Sequence, residues 1–207
     1  MTQTSTETLV QVDTRAGRVR GRWRAASPEP VEGAEPVEGV AGHRSAAFLG
    51  IPFAEPPVGE LRFTAPVPKG PWDGVLDALE FGATAQRGDP GVTLIPEPSV
   101  PGESTLNVNV FTPSPTEAEP GEALPVLVWI HGGGYFAGSP ASPWYDGRAF
   151  NRDGVVTVTI SYRLGIEGRE SGTGRRARRD RRRRRRWRPR SRRRRGTAPG
   201  RAASRAA

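Results

Sequence analysis

Two short apolar runs restrict the fold more than any other feature. Val126-Leu127-Val128-Trp129-Ile130 and Val155-Val156-Thr157-Val158-Thr159-Ile160 are rich in β-branched residues and carry no charge. Runs of this length and composition read as strands covered on both faces in a parallel sheet. The 24 residues between them include a segment near Asp146 to Arg152 that suits a short helix, and they provide enough chain for a crossover between parallel neighbours. An α/β class is expected ahead of a sandwich.

The earlier chain reads as strands and Pro-broken loops. From Leu9 to Trp23 apolar residues alternate loosely around Gly17 and Gly21, which predicts one or two antiparallel strands with a turn at Ala16-Gly17. Ala46 to Phe53 is an apolar stretch that runs into Ala54-Glu55-Pro56-Pro57-Val58-Gly59, where the prolines forbid regular structure. Pro30-Val31-Glu32-Gly33 recurs as Pro36-Val37-Glu38-Gly39, and two short copies make a solvated insertion, not a solenoid. His43 beside it reads as a solvated side chain. Gly88 to Gly102 and the acidic connection from Pro113 to Pro125 are loops by the same logic.

The chain changes character at Gly168. Residues 1–168 hold 12 Lys+Arg against 20 Asp+Glu, whereas residues 169–207 hold 19 Arg, no Lys and 2 acids. The overall charge of +9 therefore joins an acidic body of −8 to a tail of +17. Trp187 is the only large apolar side chain in that tail. With nothing to bury, it cannot offset the entropy of ordering and is expected to be disordered. Two units follow: a domain over 1–168 and an Arg-rich tail over 169–207.

Other classes fall away on residue counts. There is no cysteine, hence no disulfide, thiolate metal site or Cys nucleophile, and the two histidines, His43 and His131, are too few for a His-rich zinc site. Met1 to Thr8 lacks the basic start and apolar run of a signal peptide, and no stretch approaches the ~20 apolar residues that span a bilayer. A soluble, cytoplasmic protein is expected.

Chemistry concentrates after the first apolar run, at His131-Gly132-Gly133-Gly134-Tyr135-Phe136. Consecutive glycines let a backbone turn sharply and aim neighbouring N–H groups into one space, as the stabilisation of an oxyanion requires. A plain glycine turn remains open on these residues alone. A phosphate cradle fits less well, since neither a Gly-Lys-Ser/Thr ending nor the dinucleotide glycine spacing is present. Trp72, Trp129 and Trp144 read first as packing residues, while Trp144 and Tyr145 are also candidates for lining an acyl or alcohol pocket.

Four blocks in order carry a resemblance: Phe48-Leu49-Gly50-Ile51-Pro52-Phe53-Ala54-Glu55-Pro56-Pro57-Val58-Gly59-Glu60-Leu61-Arg62-Phe63, Glu103 to Val110, the strand with its His-Gly-Gly-Gly loop, and Ser161-Tyr162-Arg163-Leu164-Gly165. Together they resemble the N-terminal part of the type-B carboxylesterases, which include the cholinesterases, from about Val10 to Gly168. The resemblance implies the N-terminal portion of an α/β-hydrolase fold, a mostly parallel sheet preceded by antiparallel strands. It also implies hydrolysis of small carboxylic esters through a Ser nucleophile, an acid and a His, in that chain order. Gly133 and Gly134 would supply two oxyanion-hole N–H groups, with the third following the nucleophile, and His131 would belong to the loop. The family commonly pairs the Arg of its Leu-Arg-Phe block with the Glu of its next block, which implies an Arg62–Glu103 ion pair. This chemistry uses side chains and water, so neither metal nor organic cofactor is implied.

The chain departs from that pattern in what it lacks. No Gly-x-Ser-x-Gly occurs. Gly102-Glu103-Ser104 imitates its start, but Leu106 stands where the second glycine belongs, so Ser104 is not the expected nucleophile. Ser104 and Thr105 replace the family's Asp-Cys, which removes the disulfide of secreted members. None of the catalytic triad is expected in this chain, and strand 126–130 is expected to be an uncovered apolar edge. Arg, Ala, Gly, Ser and Pro, all with GC-rich codons, dominate after Gly168. An out-of-frame continuation of a GC-rich esterase gene would produce this composition, and reading the other two frames beyond codon 168 tests it. The competing reading is an arginine arm that binds nucleic acid or other polyanions.

Overall fold

The computed structural model describes residues 8–25, 44–85, 93–115 and 123–169. All belong to the first of two units into which the chain divides, Met1–Gly172. The Pro-Glu repeat, His43 and the tail beyond residue 169 lie outside the described residues.

β1 (Leu9–Asp13) and β2 (Arg18–Ala25) form an antiparallel hairpin. Its turn is closed by reciprocal backbone bonds between Thr14 and Gly17, at 3.1 and 3.3 Å, around the expected Ala16-Gly17. β2 is shared along its length: Arg18–Arg20 pairs in parallel with β4 (Val75–Asp77), and Arg22–Ala25 pairs antiparallel with β3 (Arg44–Pro52). β5 (Asn107–Thr112) lies antiparallel to β3 and to β7 (Val156–Ile160), while β6 (Val126–Ile130) closes the order β1-β2-β3-β5-β7-β6.

The two apolar runs do pair in parallel, from Val126 opposite Val156 to Ile130 opposite Ile160. Helix α1 (Arg148–Arg152) sits in the crossover, where the sequence predicts one. The sheet is mixed, with four antiparallel ladders on its main path before the single parallel one. Coverage of both faces of β6 is not met among the described residues: Val126, Val128 and Ile130 are each more than half exposed, and Trp129 is exposed on the other face. The reason is position, since β6 is the rim strand.

The apolar core is small. Val19, Ala46, Phe48 and Ala78 are buried, flanked by Trp23, Ile51, Trp72 and neighbouring valines. A Cβ at Gly21 would stand 2.6 Å from Cδ1 of Phe48, so glycine there lets the ring lie against β2. Trp72 packs as expected and donates its indole N–H to the Arg18 carbonyl at 3.0 Å. Trp144 does not, being largely exposed.

Much of the remaining interior is polar and satisfied. Asn107 and Asn109 are each 1% exposed and alternate with Val108 and Val110 along β5. Asn151 Nδ2 donates to the Phe111 and Val155 carbonyls at 3.0 and 2.8 Å, and its Oδ1 accepts from Ser45 Oγ at 2.6 Å, fastening α1 to the sheet. Ahead of α1, Asp146 accepts a bidentate pair from Arg24 at 2.7 and 3.1 Å and the backbone N–H of Arg148 at 3.0 Å. These contacts fix the crossover that returns the chain from the glycine loop to β7.

Candidate functional site

The glycine loop begins where β6 ends, so its backbone inherits the direction of a strand locked in register with β7. Gly133 has φ +112°, Gly134 +60° and Tyr135 +66°. A side chain at Gly133 would collide with the Ala137 carbonyl, and at its φ an L residue is strained in any case. The Gly133 carbonyl accepts from the N–H groups of Phe136 and Ala137 at 3.0 and 3.1 Å, tightening the turn. Among the described residues no protein acceptor takes the N–H of Gly133 or Gly134, and both residues are exposed.

A second segment clamps this loop from behind. Tyr162, just past β7, donates its hydroxyl to the His131 carbonyl at 2.6 Å. Its ring stacks on the His131 imidazole with centroids 4.3 Å apart and meets Tyr135 edge-on at 6.0 Å. Burial raises the phenol above its ordinary pKa, so it remains a donor at neutral pH. Gly165 N–H donates to the Tyr135 carbonyl at 2.6 Å, adding a backbone tie. The motif residues Tyr162 and Gly165 therefore hold the loop in shape, a role not evident from their order along the chain.

His131 is 4% exposed. Its Nδ1 lies 2.9 Å from the Gly132 carbonyl and 3.3 Å from the Tyr162 hydroxyl, and no serine is among its partners. Burial lowers its pKa, against the smaller opposing effects of the Gly132 hydrogen bond and the Glu97 charge. The ring is expected to be less than half protonated at pH 6.5, where an ordinary histidine is half protonated. Because the folded pKa is depressed, the unfolded chain takes up the proton first: the contribution to stability is intact above pH 6.5 and is lost as pH falls towards the folded value. A ring-nitrogen NMR titration with a midpoint at or above 6.5 would contradict this.

Arg62 corrects the implied pairing. Its Nε lies 2.8 Å from Oε1 of Glu167, in α2 (Gly165–Arg169), and the Arg62–Glu103 bridge is not formed. All three residues line one cleft of about 480 Å³, together with Pro57, Arg163 and Ile166. The guanidinium takes the carboxylate that the short helix presents, while Glu103 stays on the exposed wall. Arg163 also reaches back, donating to the Thr64 carbonyl at 2.8 Å. The four motif blocks thus converge around this cleft and the glycine loop.

The pocket candidates stand elsewhere. Trp144 and Tyr145 form a 3₁₀ turn, Pro143–Tyr145, and do not line that cleft. Tyr145 packs its ring 5.3 Å from Trp129, on one face of the rim strand. Ser104 contributes its carbonyl to Asn107 Nδ2 at 2.9 Å, a structural contact ahead of β5. Among the described residues no group of three His, Asp or Glu side chains is arranged to hold a metal, and no helix is long and apolar enough to cross a membrane.

Comparison with known proteins gives this geometry a family. The family model described as "Carboxylesterase family" matches residues 9–174. The chain belongs to that family. It is 44% identical over 161 residues to a medium-chain fatty acyl-CoA hydrolase precursor of Anas platyrhynchos, covering 70% of this chain and 28% of that protein. It is 43% identical over 132 residues to the fumonisin B1 esterase of Sphingopyxis macrogoltabida (64% and 24%). It is 40% identical over 134 residues to the para-nitrobenzyl esterase of Bacillus subtilis (62% and 26%). A crystal structure of a Geobacillus stearothermophilus carboxylesterase superposes with a TM-score of 0.54 at 37% identity, over 78% of this chain and 30% of that one. The chain has the carboxylesterase fold over its described part and spans between 24% and 30% of the length of these relatives.

Proposed function

We propose that residues 8–169 form the oxyanion-loop side of a carboxylic ester hydrolase, acting on small-molecule esters by a serine-type acyl-enzyme route. The observation that carries this reading is the clamped glycine loop at the end of β6, with two unpartnered N–H groups at Gly133 and Gly134. Each oxyanion donor is typically worth about 2.7–4 kcal/mol in a tetrahedral transition state. These two would receive the charge that develops on a substrate carbonyl oxygen. His131, spent on loop contacts, serves as a positioning residue and not as the base. Nucleophile, acid and base are not supplied by these residues, so the 207-residue chain is inactive by itself.

The decisive experiment is a chimera. Residues 1–168 are joined to the part of the B. subtilis para-nitrobenzyl esterase that follows its matched region. Hydrolysis of a p-nitrophenyl ester, abolished by a serine-directed inhibitor, is the expected result. A folded, inactive chimera would overturn the reading.

The arginine-rich tail has a chemistry of its own. Its 19 arginines would hold polyanions by counterion release whatever their origin, so nucleic-acid binding by this chain is expected to be salt-sensitive and adventitious.

A further inference from the structure

Asp73-Gly74, Asp146-Gly147 and Asp153-Gly154 are the three Asp-Gly pairs of the chain, and the structure describes all of them. Such a pair can rearrange without an enzyme. Glycine has no Cβ to shield its amide nitrogen, which reaches back to the preceding carboxyl and closes a five-membered succinimide. The reaction needs a carboxyl free to rotate, an amide N–H not committed to a hydrogen bond, and a backbone with room to move. The three pairs differ in all of these.

Two of them are held. The Asp153 carboxylate accepts from the Arg152 guanidinium at 2.9 and 3.3 Å, and the Gly154 N–H donates to the Asn151 carbonyl at 3.0 Å. The Asp146 carboxylate is shared between Arg24, at 2.7 and 3.1 Å, and Arg148, at 3.1 Å. Gly147 beside it is buried, and a Cβ there would stand 2.7 Å from Cβ of Thr157 and 2.8 Å from Cβ of Phe111, which leaves no space for a ring to form.

Asp73-Gly74 meets every requirement. Both residues are exposed, and among the described residues no hydrogen bond or ion pair engages the Asp73 carboxylate or the Gly74 N–H. Gly74 has φ +77°, and a Cβ built on it would meet nothing within 4 Å. The pair also joins two fixed points. Before it, Trp72 donates its backbone N–H to the Ala16 carbonyl at 2.8 Å and its indole N–H to the Arg18 carbonyl at 3.0 Å. After it, β4 pairs in parallel with β2, and Asp77 is bridged to Arg20.

We propose that Asp73 is a site of spontaneous isomerisation to isoaspartate, which the fold favours over the other two pairs. The Gly74 nitrogen attacks Cγ of the protonated carboxyl; an N–Cγ bond forms, and the carboxyl oxygen leaves as water with the amide proton. Water then opens the ring at either carbonyl. Breaking N–Cγ restores aspartate, whereas breaking the original peptide C–N bond leaves the chain running through Cβ and Cγ, with the main-chain carboxyl free and the mass unchanged. The product has one more carbon in the main chain between Trp72 and Val75. Since both anchors lie on the β1–β2 hairpin, β4 absorbs the added length and loosens from β2. Neither ester chemistry nor catalysis by the protein is involved.

The test incubates the full 207-residue chain at physiological temperature in mildly acidic buffer, which supplies the protonated carboxyl. Isoaspartate is tagged with an isoaspartyl methyltransferase and a labelled methyl donor, then located by peptide mapping. The held pairs react only through the small population in which they are released, so about tenfold more isoaspartate or greater is expected at position 73 than at 146 or 153. A parallel sample in urea removes the constraints and should bring the three sites within about threefold of one another. Asp73→Glu, whose longer side chain does not close a five-membered ring, should lose the tag at this position. Hydrogen exchange of the β5 amides, equal in parent and variant, shows that both fold. No isoaspartate at 73, equal yields at the three sites in the folded chain, or a tag that persists in Asp73→Glu would overturn the proposal. Faster exchange of the Val75–Asp77 amides in the modified fraction is expected, and unchanged exchange would overturn the coupling to β2.

Discussion

Given p-nitrophenyl butyrate, the 207-residue chain alone is expected to turn it over about 10⁶-fold more slowly than the chimera that restores a triad. The magnitude follows from what each part of such a site contributes. Oxyanion donors and binding together sustain roughly 10³–10⁴-fold catalysis over water when a triad is removed, and the remaining factor comes from nucleophile and base acting as a unit. Gly133 and Gly134 belong to the first group, and nothing described belongs to the second. Among the described residues the imidazole of His131 is stacked on Tyr162 and hydrogen-bonded to the loop, with no serine beside it to activate. Ser104 offers no alternative, since Leu106 occupies the position at which a nucleophile elbow needs glycine. A fluorophosphonate probe followed by intact-mass measurement checks the same point without substrate. Stoichiometric labelling of a serine in the 207-residue chain would refute the missing nucleophile.

How much of this was legible in the sequence depended on whether apolar pattern or tertiary geometry decides the feature. The β1–β2 hairpin, the β6–β7 pair and α1 are written in local pattern: glycines at the turn, β-branched runs, and a crossover of adequate length. Whether β6 is covered is a different kind of fact. Composition says that Val126–Ile130 can be buried on both faces, but coverage requires neighbours, and β6 is the last strand in the order. The resemblance, with its expectation of an uncovered edge at strand 126–130, anticipated this better than composition did.

The glycine loop was legible because its conformation admits few residues: a Cβ at Gly133 meets the Ala137 carbonyl. Its clamp was not, because the contacts between Tyr162 and His131 join residues 31 apart through packing of two parallel strand ends. Arg62 illustrates the limit of carrying over a contact. Both candidate carboxylates line its cleft, and the choice of Glu167 depends on where α2 places its first turn. Charge pattern cannot tell one exposed acid from another. Asn107 and Asn109 were overlooked for a related reason, since asparagine reads as a surface residue. Their alternation with Val108 and Val110 was the available signal: period two puts both amides on one face of β5.

Asn109→Leu is expected to carry a large structural penalty. Its Oδ1 accepts the N–H of Gly50 at 2.9 Å, at the irregularity where the register of β3 against β5 shifts between Phe48 and Ile51. Its Nδ2 donates to the Pro140 carbonyl at 3.1 Å and to Thr159 Oγ1 at 2.8 Å. One amide thus satisfies a bulge in β3, a residue of β7 and the loop that follows the glycines. Asn109→Leu preserves volume and removes all three bonds. Thr159 can rotate towards the Pro140 carbonyl, which already lies 3.5 Å from its Oγ1, so that acceptor is partly rescued. Gly50 N–H, on a half-buried residue, has no substitute among the described residues and is left without a protein acceptor. An unsatisfied buried donor costs about 1–3 kcal/mol, and the lost amide bonds add to it, for about 2–4 kcal/mol in all. Amide protection in β5 and β7 should then fall by about 30- to 1000-fold. Asn109→Asp separates the roles: a carboxylate keeps the acceptor for Gly50 but faces the Pro140 carbonyl with no hydrogen to donate. Burial raises its pKa in the fold, so its cost is greater near pH 7 than near pH 4, where the protonated acid donates again. Protection within about threefold of the parent in Asn109→Leu would show that the fold tolerates the orphaned bulge, and the polar interior would then be incidental to it.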